Sequence, residues 1–595
     1  MTEGYGAQAG AEQTSFTVRA PLAQRVDLCL FDGAAEERRA MTRRGDDWHL
    51  TVPGNLAGAH YGYRARGPYA PERNLWFDPA KLLVDPHAVE LDRRFVQDPR
   101  LAEYGADTAG LVPRAIVPGS LAEVASEPPR FPRTGLIYEI NARAFTLLHP
   151  DVPQALRGTV AALAHPAVLA HLSKLGVAAV ELMPIVAWLD ERHLPGLGLT
   201  NSWGYNPVVP MALDPRLCPG GVAELRETVA ALHAAGMGVI LDLVFNHTGE
   251  SDVHGGTLSL RGLDPQAYAT APDGTLINDT GCGNTLDFAY APVRALTLAT
   301  LRHFVRHCGV DGFRFDLATV LARGPGFSAQ APIFAEIAAD PLLADRVLIA
   351  EPWDLGPGGY QLGRFPPNWL EWNDRYRDDV RRFWRGDGTP GQLATRLAGS
   401  SDVFGEGPRG VNFLAAHDGF TLADTVAYAE RHNQANGEGN RDGHGENFSW
   451  NCGIEGETAD PAVLVRRRAD VKALLATLFA TTGPIMLTAG DEFGRTQRGN
   501  NNAYCQDNAL TWLDWHGRDR ELEDHVAALS QARYRRLDAL EAFPQDGTWL
   551  SPSGEAMTVA EWENPAGEGF TFVPADSVGH PTIAVCRSER RLTAT

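Results

Sequence analysis

From Gly135 onward the chain repeats one rhythm, a helix-like stretch followed by a short buried β-type run that ends in polar side chains. AVLAHLSKLG leads into VAAVELMPI (177–185), and VAELRETVAALHAAG leads into MGVILDLVFNH (237–247). VRALTLATLRHFVRHCG leads into DGFRFDLA (311–318), and later runs are LIAEPWD, FLAAHDG and PIMLTAGDE. Strands this rich in Val, Ile and Leu belong to a parallel sheet covered by helices on its faces. About eight such units fit a closed (β/α)8 barrel better than an open sheet, with the polar residues gathered at the C-terminal strand ends. The barrel is placed at residues 134–516.

The flanks read differently. Residues 14 to about 90 carry short strands (FTVRAP, RVDLCLFD, WHLTVPG, HYGYRARG) separated by turns, the spacing of a β-sandwich. This predicts an N-terminal sandwich over residues 1–125, joined to the barrel by the Pro-rich VASEPPRFPRTG (124–135). Beyond residue 516 the runs WLSPSG, MTVAEWEN, FTFVPA and TIAVCRS predict a small C-terminal β-domain, residues 517–595.

Charge and cysteine usage narrow the function classes. With 53 Lys and Arg against 74 Asp and Glu, the net charge of −21 argues against a nucleic-acid partner, which needs basic patches. The uncharged stretch 473–489 contains Thr-Thr-Gly-Pro, so a buried helix, a turn and a strand are expected there rather than a membrane span. Seven scattered cysteines without a C-x-x-C pair read as reduced thiols. Together with an N-terminus lacking a signal-like apolar stretch, they point to a cytoplasmic location. No sequence pattern sets an oligomeric state.

Acidic side chains mark the strand ends. Arg314 and Asp316 lie two residues apart and so share one face of their strand, while Phe313 and Phe315 face the other way. An Asp after a strand often only caps the next helix. A guanidinium on the same face instead keeps the carboxylate ionised and oriented, as a nucleophile requires. Glu351 precedes Pro352, which disfavours helical geometry, and its apolar neighbours Ile349, Ala350 and Trp353 favour a protonated carboxyl suited to general acid work. His417 and Asp418 close a further strand, and Asp242, Asn246 and His247 end another. The histidines suit hydrogen bonding to sugar hydroxyls, and no short ligand spacing supports a metal. Asp491 and Glu492 are adjacent, point to opposite faces, and are assigned a structural or outer-site role. Nine of 13 Trp lie between 188 and 515, and Tyr205 in the Trp203-Gly-Tyr205 loop is the favoured platform for a pyranose ring.

Taken together, DLVFNH (242–247), GFRFDLA (312–318), Glu351 in LIAEPW and AAHDG (415–419) resemble the four sequence regions of the α-amylase superfamily, glycoside hydrolase family 13. The resemblance implies Asp316 as nucleophile, Glu351 as general acid/base and Asp418 as transition-state stabiliser. It further implies Arg314, His247 and His417 as substrate-binding residues, Tyr205 as the stacking platform, and Asp242 and Asn246 as support. The stretches 417–458 and 488–508, with YGYRARGPY (61–69), are similar to the isoamylase-type bacterial glycogen debranching enzymes. Hydrolysis of α-1,6 branch points in glycogen or its limit dextrin follows from that resemblance alone. The neighbouring alternatives are an α-1,4, pullulanase-type or trehalose-releasing hydrolase, and more distantly an inactive glycan-binding barrel. No cofactor is expected; the optional calcium of the superfamily finds no clear ligand spacing in residues 242–287.

Overall fold

A computed structural model describes residues 4–125, 127–544, 546–575 and 579–595. Eight parallel strands close into a barrel: β1 (Leu136–Ile140), β2 (Val177–Leu182), β3 (Gly238–Leu243), β4 (Gly312–Phe315), β5 (Val347–Ala350), β6 (Leu370–Asn373), β7 (Gly410–Asn412) and β8 (Ile485–Thr488). β8 pairs back onto β1 and closes the ring. Alternation along each strand splits the side chains into two sets. Ile137, Ala179, Ile240, Ile349, Trp372, Phe413 and Met486 fill the interior. Phe313 and Phe315 pack outward; the Phe315 ring lies 4.9 Å from Trp369 beneath the surrounding helices.

Two expectations shift at this level. β6 was not among the strands named from sequence, because a four-residue run carrying Glu371 and Asn373 does not look buried. Tertiary partners make it so: Arg409 pairs with Glu371, and Asn373 Nδ2 donates to Ser400 Oγ and Asn412 Oδ1, both at 3.0 Å. β7 stops at Asn412, so His417 and Asp418 do not close a strand but stand on the loop that follows it.

The expected helices form at Pro166–Lys174, Gly221–Ala234, Ala291–Cys308 and Pro461–Ala480. The 473–489 stretch divides into the end of the last helix, a turn and β8. Among the described residues no helix is long and apolar enough to cross a membrane. All seven cysteines are free thiols.

The N-terminal sandwich stacks two four-stranded sheets built from strands such as Gln13–Arg19, Arg25–Asp32, Asp47–Pro53 and His60–Arg66. Phe16, Val26, Leu28, Trp48 and Tyr63 form its core, which runs on into Val208, Leu258 and Leu263 of the barrel loops. Arg19 locks the junction through Asp264 at 3.0 Å and Tyr290 at 2.7 Å.

The C-terminal antiparallel sheet begins at Gly547, past the boundary at 517 read from the sequence. Residues 520–534 form a helix against Pro461–Ala480, and its Arg533 donates to the carbonyls of Phe479, Thr481, Thr134 and Gly483. Phe570, Phe572, Ile583, Val585 and Leu592 of the sheet belong to the same apolar cluster as the outer face of the barrel.

Candidate active site

β4 and β5 pair in register, with Phe315 opposite Ala350, so the next residues, Asp316 and Glu351, emerge side by side at the C-terminal rim. The ladder continues past the strand ends: Asp316 N donates to Leu243 O and Glu351 N to Phe315 O, both at 3.1 Å. One inward position earlier, Arg314 is fully buried. Its Nη1 donates to Asp316 Oδ1 at 3.0 Å and Asp242 Oδ1 at 2.9 Å. Its Nη2 lies 2.9 Å from Glu351 Oε2, a close contact without hydrogen-bond alignment. One guanidinium therefore bridges both rim carboxyls. Asn246 Nδ2 completes the grip, donating to Asp316 Oδ2 at 2.7 Å and to the Asp316 carbonyl at 2.8 Å.

The backbone after Asp316 is bent for the same purpose. Leu317 has φ +40°, the left-handed region where a branched side chain is strained, at a cost of order 1–3 kcal/mol. That turn aims Leu317 N at Glu351 Oε2, 2.8 Å away, while Ala318 N donates to Glu351 O at 2.9 Å.

Arg314 is one cation facing three carboxyl groups, so they cannot all ionise on equal terms. Burial pushes the Glu351 carboxyl up to about 8, against the pull of Arg314 and with the negative field of Asp316 adding to it. Burial likewise lifts Asp242 to about 6 despite Arg314, and Tyr205 donates its hydroxyl to Asp242 Oδ2 at 2.5 Å. Asp418 behaves oppositely. Burial alone raises it, but the His444 hydrogen bond at 3.0 Å and the charges of His417, His444 and Arg377 hold it well below the ordinary carboxylate range.

The aromatic side of the site hangs from the loops after β2 and β7. Tyr205 and His417 stack with ring centroids 4.7 Å apart, and Trp203 stands edge-on to His417 at 4.9 Å. Burial lowers the His417 ring, but the Glu139 carboxylate, 2.8 Å from Nδ1, overrides it and brings the ring to about 9. His247 differs from its expected place among sugar-binding groups. It is 2% exposed, and both ring nitrogens already meet protein atoms, Asn246 Oδ1 at 2.5 Å and Tyr205 O at 2.9 Å. It braces Asn246 and the Tyr205 loop from behind, because both of its ring nitrogens are turned to those partners.

Thus Asp316, Glu351, Arg314, Asp242, Asn246, Tyr205, His417 and Asp418 converge, with His247 behind them. Sequence reasoning missed Glu139, Glu181 and His444. Glu139 and Glu181 sit level on β1 and β2, facing the barrel interior beside Asp242. Their signal was an acid at an inward position of a strand otherwise apolar on both faces. Among the described residues Glu181 finds no hydrogen-bond partner for either oxygen, and burial, with Asp242 and Glu139 nearby, raises its carboxyl far above the ordinary range. His444 carried no local signal beyond its glycine neighbours. Asp491 and Glu492 face the scaffold: Glu492 accepts from Tyr138 at 2.7 Å and His171 at 2.9 Å, and Asp491 from Leu422 N at 3.2 Å. Among the described residues no group of three or more His, Cys, Asp or Glu gathers in a metal-binding arrangement. The acids and amides of 242–287 are engaged within the protein, Asp264 with Arg19 and Asn284 with the carbonyls of Thr248 and Ser251.

A closed parallel barrel with two carboxyls side by side on its C-terminal rim, preceded by a β-sandwich, is the architecture of a glycoside hydrolase. Residues 4–88 match the family described as carbohydrate-binding module 48 (isoamylase N-terminal domain). The chain is 47% identical to a glycogen debranching enzyme from Serratia proteamaculans, over 95% of this chain and 90% of that one. It is 44% identical to one from Salmonella paratyphi A, over 94% and 89%. A crystal structure of a pullulanase complexed with maltotetraose, from Anoxybacillus sp. LM18-11, matches with a TM-score of 0.68 and 25% identity, covering 89% of this chain and 74% of that one. The fold is also that of pullulanase type I from Bacillus subtilis, with a TM-score of 0.70, 21% identity and coverage of 96% and 78%. The chain belongs to the glycogen debranching enzyme family.

Proposed function

We propose that this protein debranches glycogen or its phosphorylase limit dextrin by retaining hydrolysis of α-1,6-glucosidic linkages. The observation that carries the chemistry is the Arg314 bridge between Asp316 and Glu351. It supports the short separation of roughly 5–5.5 Å used in retention rather than the 6.5–9.5 Å of inversion. The two carboxyls also sit in contrasting environments. Asp316 accepts hydrogen bonds on both oxygens, from Arg314 and Asn246, while burial keeps the proton on Glu351. Linkage preference is carried by similarity to the debranching enzymes over most of the chain.

In the first step Asp316 attacks the anomeric carbon as Glu351 delivers its proton to the departing glycosidic oxygen. The bond to the main chain breaks and a covalent glycosyl ester forms on Asp316. Glu351, now a carboxylate, takes a proton from water, whose oxygen attacks the same carbon and frees Asp316. Arg314 and Asn246 hold the nucleophile in line throughout. Asp418, kept ionised by His444, grips ring hydroxyls most tightly in the distorted transition state, so its contribution falls on kcat. Tyr205 offers a face to the cleaved sugar, and His417 presents its Nε2 edge. Free thiols and the storage-glucan substrate support a cytoplasmic location.

Likeness to pullulanases favours one neighbouring reading, a pullulan-type substrate. Incubation with limit dextrin, pullulan and linear maltodextrin, with analysis of released chain lengths, decides. Short linear chains freed from limit dextrin, with maltodextrin untouched, are expected; release from linear maltodextrin alone refutes the α-1,6 reading.

A further inference from the structure

Two loops meet on the Glu351 side of the barrel: residues 278–284, between β3 and β4, and residues 351–359, which begin at Glu351 itself. Leu355 on the second is 73% exposed. A single exposed leucine says little, but this one sits in a built frame. Arg323 clamps the preceding Asp354 through Nε at 2.7 Å and Nη2 at 2.5 Å, and Asp354 Oδ1 accepts from Gly356 N at 2.9 Å. Leu355 N donates to Asp279 O at 2.9 Å, stitching the two loops together.

Across that stitch Leu355 lies on Gly281, where an added Cβ comes within 2.8 Å of Leu355 Cδ1. Gly281 and Gly283 take φ +79° and +100°, and a Cβ at 283 meets Asp252 N at 2.4 Å. The turn Thr280-Gly281-Cys282-Gly283-Asn284 therefore has one available shape, and it leaves Cys282 exposed. Asn284 roots the turn through Thr248 O at 3.0 Å and Ser251 O at 2.8 Å. Leu286 N donates at 2.9 Å to the carbonyl of Asn246, the residue that holds Asp316. The Cys282 thiol donates to Thr280 O at 3.8 Å and presents a weakly polar surface on this turn.

The general acid stands on the side of the departing oxygen, and Leu355 belongs to Glu351's own loop. The stacked Tyr205, His417 and Trp203 instead hang from the loops after β2 and β7. We propose that Leu355 and Cys282 form a rigid apolar shelf that receives the main-chain glucose on the leaving-group side of the scissile bond. The assignment rests on the debranching reading above.

Two substrates isolate the shelf. A branched limit dextrin lays its main chain on it; α-maltotriosyl fluoride, with fluoride as leaving group, places nothing there. Leu355→Ala and Leu355→Asp change an exposed side chain, and matched circular dichroism and Tm confirm the fold. The ratio of kcat/KM for limit dextrin to that for the fluoride is expected to fall about tenfold in Leu355→Ala, the scale of one lost apolar contact, and further in Leu355→Asp. Cys282→Ser is expected to move the ratio the same way by less. An unchanged ratio overturns the shelf, whether both rates hold or both fall together. A wild-type enzyme that turns over the fluoride but leaves limit dextrin intact refutes the debranching reading itself, before any variant is measured.

Discussion

Replacing Glu351 by Gln tests the protonation argument at its centre. The amide keeps the shape of the side chain and an oxygen for Leu317 N, but it has no proton to release. With its carboxyl lifted by burial, Glu351 keeps its proton at neutral pH, where an ordinary carboxyl has lost it. Loss of general acid–base catalysis costs about 10²–10⁴ in rate, or roughly 3–5 kcal/mol of barrier. Initial rates on limit dextrin from pH 5 to 10 provide the assay. Wild-type kcat/KM falls above about pH 8, and the variant lacks that limb. Azide, a nucleophile that needs no base, accelerates turnover of the variant on α-maltotriosyl fluoride and yields a glycosyl azide. A basic limb that persists in Glu351→Gln, or a loss smaller than tenfold, refutes the assignment. Stability moves the other way. With folded and unfolded values of about 8 and 4.5, the folded state holds a proton that the unfolded chain has released between those pH values. The contribution of Glu351 is complete below pH 4.5 and is lost as pH rises through 8, so the Tm of Glu351→Gln gains on wild type across that window.

Three further outcomes are expected. Asp316→Asn lowers kcat by several orders of magnitude while glycogen binding, followed by affinity electrophoresis, stays within a few-fold; retained turnover in a clean preparation excludes Asp316 as nucleophile. His444→Ala removes the hydrogen bond that opposes burial at Asp418. The Asp418 carboxyl then rises, so kcat falls more at acid pH than at pH 8; a loss that is equal at both ends of the profile contradicts this. Arg533→Leu leaves four buried carbonyls without their donor and destabilises the protein by about 3–5 kcal/mol, read as a lower Tm, with kcat at 25 °C unchanged.

The buried acids beneath the rim explain why so few cations suffice. His417 is charged against Glu139, Arg314 serves Asp316 and Asp242, and Glu181 stays protonated between them. Each proton or charge is fixed by a neighbour within this network, so the rim is oriented before substrate arrives. Removing a member of this set is expected to disturb the others, since interactions within one network are not additive.

Some of this was legible in the chain itself. Period-two alternation is local, so Arg314 and Asp316 could be put on one face and Phe313 and Phe315 on the other without knowing any neighbour. The β-α rhythm, the Pro352 constraint on Glu351 and the break inside 473–489 were equally local. What needed the fold is whatever depends on register and on where loops return. β6 is buried only because Arg409, Ser400 and Asn412 reach it; residues 520–534 join the barrel because Arg533 finds four distant carbonyls. Asp418 meets His444 only after the chain has looped back, and His247 is held by Asn246 and the Tyr205 carbonyl, partners that only the fold supplies. Side-chain direction along a strand is set by the two bonds on either side of a residue, whereas the partner across the cavity is chosen by closure of the whole barrel.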